Sequence, residues 1–121
     1  MTRIVASFAA SLAFVGTATF AFAHAQLEKA APAVGGTVAS ANEIRLEFSE
    51  NVEARFSGVA LTSAGGASVP LGAAKTESGN QAVLIVPITK ALAAGAYTVH
   101  WHAVSVDTHH TQGTFQFTVK P

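Results

Sequence analysis

Alternation with a period of two residues governs most of this chain. In "EIRLEF" (43–48), Ile44, Leu46 and Phe48 fall on one face, and Glu43, Arg45 and Glu47 on the other. "YTVHWHAV" sets Tyr97, Val99 and Trp101 against Thr98, His100 and His102, while "TFQFTV" turns Phe115, Phe117 and Val119 one way. Only extended backbone puts every second side chain on the same side, so each run predicts a strand with one buried face. "GVALT", around Val59 and Leu61, behaves similarly, and "AVLIVP" reads as a short, continuously apolar strand. Turn signals separate the runs: Pro32, Gly35-Gly36, Gly65-Gly66, Gly79-Asn80, Gly95 and Gly113. Short strands with this punctuation and no long helical period predict an all-β fold, a β-sandwich or Greek-key barrel. "TKALAAG" (89–95) is the one stretch suited to a helical turn. Tyr97 follows it near the start of a strand, where a tyrosine corner would pack the ring and bond the hydroxyl to nearby backbone. Tyr97 and Trp101 are therefore expected in the core.

The first 23 residues obey a different rule. Arg3 is followed by an uncharged, largely apolar run that ends in the small-x-small sequence Ala21-Phe22-Ala23, and no further charge occurs before Glu28. This is the layout of a secretory signal peptide cleaved after Ala23. A transmembrane anchor is the competing reading, but Ser11, Gly16, Thr17 and Thr19 dilute the apolar run. Cleavage leaves residues 24–121, enough for one soluble domain with a single core. Six Lys and Arg then face seven Asp and Glu without a basic cluster, which gives neither nucleic acid nor a membrane surface a grip. The chain has no cysteine, and its single methionine, Met1, leaves with the leader. An exported chain would tolerate disulfides, but none can form here. The mature protein contains no sulfur.

Cleavage also makes His24 the first residue, and an amino-terminal histidine offers two nitrogens, its α-amine and imidazole Nδ1, which close a six-membered chelate ring on a metal. The α-amine, with an ordinary pKa of about 7.7–8.0, deprotonates for binding far more easily than a lysine. Asp107, the only aspartate, lies in "SVDTHHTQG". In an extended segment Asp107 and His109 would project together, with Thr108 and His110 pointing elsewhere. Three nitrogens and one oxygen from His24, Asp107 and His109 suit tetragonal Cu(II) first and Ni(II) second. With no thiolate or thioether to favour Cu(I), and with an anionic carboxylate in the set, the site should hold oxidised copper. Glu50, just past a strand end in "FSENV", could supply an outer ligand or bond to the His24 amine, and is equally explained as a surface acid. His100 and His102 are expected on the solvated face of one strand. His110 could replace His109 if the loop is not extended.

These residues resemble the periplasmic copper-resistance CopC proteins over essentially the whole mature chain. The resemblance rests on the opening "HAQLEKAAPAVGG", on "LEFSENV", on "LAAGAYTVHWHAVSVDTHH" and on the terminal "GTFQFTV", in that order and spacing. It implies an immunoglobulin-like β-barrel or sandwich that binds copper without catalysis, with His24, Asp107 and His109 as Cu(II) ligands. Glu50 matches the family's "FSE" glutamate, which sits near or on the copper. The family commonly has proline after the D-x-H histidine and arginine after the strand tryptophan. His110 and His102 stand at those places here, so whether either joins the site stays open. The methionine-rich Cu(I) site of some members is missing, which makes this a Cu(II)-only type. The resemblance implies the periplasm as the location and a CopD-type inner-membrane partner, beside which members work or to which they are fused; with the chain ending at Pro121, that partner is expected as a separate chain.

Two other functions compete with a copper carrier. Amino-terminal histidine copper sites also occur in oxidative monooxygenases, whose copper cycles through Cu(I) and needs an open position for oxygen. An aspartate ligand and a sulfur-free chain disfavour that chemistry. A metal-free exported β-sandwich serving as a structural module would make His24 a coincidence and would show no tight Cu(II) site.

Overall fold

A computed structural model of the chain describes residues 25–121; the expected leader and His24 lie outside the described residues. The elements are β1 (Leu27–Ala31), β2 (Thr37–Val38), β3 (Glu43–Phe48), a 3₁₀ turn (Ala54–Phe56), β4 (Gly58–Ser63), β5 (Ser68–Val69), β6 (Lys75–Glu77), β7 (Asn80–Pro87), β8 (Gly95–Val104) and β9 (His110–Val119). They form two sheets, one ordered β1-β3-β7-β6 and the other β2-β9-β8-β4-β5. Apart from the short parallel pairing of β2 with β9, neighbouring strands run antiparallel. The architecture is the expected β-sandwich.

The alternating faces meet between the sheets. Ile44, Leu46 and Phe48 of β3, with Leu84 and Val86 of β7, pack against Val99 and Trp101 of β8 and Phe115, Phe117 and Val119 of β9. Trp101 meets Phe48 edge-on, with ring centroids 5.3 Å apart, and Tyr97 stacks on Phe117 at 5.6 Å. The Tyr97 hydroxyl donates to the Ala93 carbonyl at 2.6 Å, so the tyrosine corner is present.

"TKALAAG" does not become helical. Its residues run through a bend and a loop into β8, and the helical turn lies at Ala54–Phe56 instead. One isolated turn must fix several dihedrals for a single hydrogen bond. Here the loop carbonyl of Ala93 is taken by Tyr97, and the backbone N–H of Ile88 is committed to Asn42. Among the described residues, no helix is long and apolar enough to cross a membrane.

Candidate metal centre

The two longest strands, β8 and β9, pair over their whole length, from Gly95 opposite Val119 to Val104 opposite His110. Residues 105–109 close this hairpin. Ser105 N–H donates to the His109 carbonyl at 2.9 Å, and Thr108 N–H to the Ser105 carbonyl at 2.8 Å. Thr108 has φ of +73°. That left-handed backbone is uncommon for a β-branched residue, and such conformations cost on the order of 1–3 kcal/mol and concentrate at functional sites.

This turn corrects the expected extended segment, yet it brings the same two side chains together. Asp107 Oδ2 lies 3.2 Å from His109 Nδ1, with the two side chains 42% and 39% exposed. Behind them, Ser105 is buried. Its hydroxyl donates to Asp107 Oδ1, and its oxygen accepts the His109 N–H at 3.2 Å. The Ser105 hydroxyl, and after it His109, holds the Asp107 carboxyl below its ordinary pKa. Asp107 is therefore an anion throughout the neutral range, an oxygen donor ready beside an imidazole.

Neighbouring segments fix the turn at one end of the sandwich. Val52 bridges Ser105, Val106 N–H donates to the Asn51 carbonyl at 3.1 Å, and Glu53 N–H donates to the Val104 carbonyl at 2.8 Å. Glu50, half-buried, belongs to this supporting segment. The start of the described chain is tied to the same end. Thr111 Oγ1 donates to the Ala25 carbonyl at 2.8 Å, Gln26 N–H donates to Ser49 Oγ at 2.9 Å, and Ser49 N–H returns to the Gln26 carbonyl at 2.8 Å. Ala25 is fully buried. The residue covalently joined to His24 is thus held beside the strand that leaves His109.

Of the expected site residues, Asp107 and His109 are together, Glu50 is on the adjoining segment, and His24 is outside the described residues. Among the described residues no three His, Asp or Glu side chains form a group that could share one ion, so Glu50 does not complete a triad with the pair. His100 and His102 are exposed, as expected of a solvated strand face, and His110, which opens β9, is exposed as well. Ser105 is the participant that motif reading missed. Its signal is a serine two residues before the aspartate at a strand end, where short hydroxyl side chains bond locally to backbone and turn the chain.

Residues 27–120 match the CopC domain model. The chain belongs to the CopC family. Protein YobA of Escherichia coli K12 is 43% identical over 100 residues, covering 82% of this chain and 81% of YobA. The crystal structure of CopC from Methylosinus trichosporium OB3b superposes with a TM-score of 0.75 at 30% identity, over 81% of this chain and 95% of that one. That of PcoC, a methionine-rich copper resistance protein from Escherichia coli, gives a TM-score of 0.69 at 37% identity, over 81% and 100% of the two chains. Against PcoC's description, this CopC chain has no methionine after Met1.

Proposed function

We propose that this CopC protein is a periplasmic Cu(II) carrier or buffer serving copper resistance, homeostasis or delivery, and that it is not an enzyme. The observation that carries the reading is the Asp107–His109 pair, 3.2 Å apart on a braced turn, at the end of the sandwich where Ala25 is pinned. Ala25, held at that end, is the residue that directly follows His24 in the chain. Once the leader is removed after Ala23, the His24 amine and imidazole join the imidazole of His109 and the carboxylate of Asp107 around the copper. Glu50 serves as an outer partner. Copper here is cargo, and the donor set is nitrogen and oxygen only, as Cu(II) prefers. The role of PcoC as a copper resistance protein supports the same assignment. A CopD-type inner-membrane protein is the partner that would accept or supply the ion.

Cleavage creates the site under this reading. Mature protein beginning at His24 is compared with a form carrying one extra residue before it, by Cu(II) titration against a competing chelator. The extended form should bind at least about tenfold more weakly, the scale on which altering a metal's supporting groups is felt. Equal affinities would reject the amine chelate.

A further inference from the structure

The outer face of the β2-β9-β8-β4-β5 sheet carries three histidines that the Asp107–His109 turn does not use. His100 and His102 stand on β8, opposite Thr114 and Gln112 of β9, and His110 opens β9 opposite Val104. Side chains two residues apart on a strand, and those directly opposite on its neighbour, share a face. His102 and His110 are therefore diagonal neighbours across the ladder, a separation of roughly 7–8 Å between backbones that long and ring side chains can bridge.

Two observations set this pair apart from His100. His102 and His110 line one surface depression together with Thr111 and Gln112. Neither ring makes a hydrogen bond or ion pair among the described residues, whereas His100 Nδ1 lies 3.3 Å from Thr114 Oγ1 and lines a different depression. The His102 ring lies over Gly58, opposite it on β4, where a Cβ would sit 3.1 Å from Cε1, so this exposed ring turns toward β9 to meet His110. The facing strand residues Ala60, Thr98, Gln112 and Thr114 are uncharged, and charge comes in from the adjoining 3₁₀ turn, through Arg55 and through Glu53, whose N–H bonds to the Val104 carbonyl.

We infer that His102 and His110 form a second metal site, which takes one imidazole-preferring divalent ion, with Cu(II) bound most tightly of the first-row series. Two neutral imidazoles and the amide oxygen of Gln112 are the protein donors, and water completes the coordination. The site is weaker than the amino-terminal one because it has neither a chelating amine nor an anion. It is independent of that site, since neither Asp107 nor His109 contributes to it.

Cu(II) titration of the mature protein beyond one equivalent, read by calorimetry, tests the assignment, with a parallel Zn(II) titration followed through the histidine ring signals in NMR spectra. A second, weaker equivalent is expected. His102→Ala and His110→Ala should each weaken it by about tenfold or more. His100→Ala and Asp107→Ala should leave it in place, and Zn(II) should shift the ring signals of His102 and His110 together. Absence of the second equivalent, or its loss in His100→Ala with retention in His102→Ala, overturns the pairing. If the amino-terminal site itself fails to bind, the weaker equivalent should still respond to His102→Ala and His110→Ala, so the two assignments stand or fall separately.

Discussion

Ser105 holds the turn's chemistry in place from behind. Its hydroxyl bonds to Asp107 Oδ1, its oxygen receives the His109 N–H, and it is almost completely buried. This hydroxyl, more than His109, is what lowers the Asp107 pKa. Ser105→Ala should therefore raise the Asp107 pKa toward the ordinary carboxylate value of about 3.9, read by NMR titration of the metal-free protein. An unmoved value would give the effect to His109. The sign for stability follows from linkage. A carboxyl whose folded pKa lies below its unfolded one stabilises the fold above the unfolded value, and that contribution is lost as pH falls through the folded pKa. Metal-free Ser105→Ala should thus lose less stability on acidification below about pH 4 than the parent does. Copper binding has a separate pH dependence, because protons compete for the amine and imidazole nitrogens while Asp107 is already ionised.

In the β8–β9 hairpin, one glycine-dependent contact fixes how the strands present their side chains. Trp101 lies opposite Gly113, and a Cβ on Gly113 would fall 2.6 Å from Trp101 Cζ2 and 2.7 Å from Cε2. The indole cannot simply retreat, because it packs against Phe48. Gly113→Ala should cost about 1–3 kcal/mol through overpacking, which for a domain of this size lowers Tm by about 4–8 °C per kcal/mol. Thermal unfolding of the metal-free protein measures it, and an unchanged Tm would show that the indole does not depend on that gap. The hairpin also marks what was legible beforehand. Alternation in "YTVHWHAV" and "TFQFTV" sorted the core residues from the outward histidines, because one face of each strand is buried and a slip of one residue would invert it. The pairing of Asp107 with His109 was legible as a D-x-H spacing, but its backbone was not. No glycine or asparagine marks the left-handed position, which Thr108 occupies against its own preference. Ser105 was hidden for a related reason: its role depends on burial behind the turn, which residue spacing does not encode. "TKALAAG" misled because its small residues suit a helix locally, whereas the tyrosine corner claims the loop.

At the scale of the whole molecule, the decisive property is a composition. No cysteine or methionine occurs among residues 24–121, so no part of the domain can supply a thiolate or thioether to copper. All the proposed donors are nitrogen or oxygen, and one is the anionic Asp107. Such a set favours Cu(II), and Cu(I) prefers sulfur. Reduction should therefore loosen the ion wherever it sits on the protein, which gives a carrier a release step and deprives a monooxygenase-like site of the state that must meet oxygen. Ascorbate added to copper-loaded mature protein, with a Cu(I)-selective chelator present, makes the distinction. One electron converts Cu(II) to Cu(I), and the metal should pass to the chelator with little oxygen consumed. Asp107→Asn, which removes the negative charge from beside the metal, should speed this transfer by making reduction easier. If the parent protein instead keeps its Cu(I) and oxygen uptake continues as long as ascorbate lasts, the copper is turning over in place, and the enzyme reading displaces the carrier.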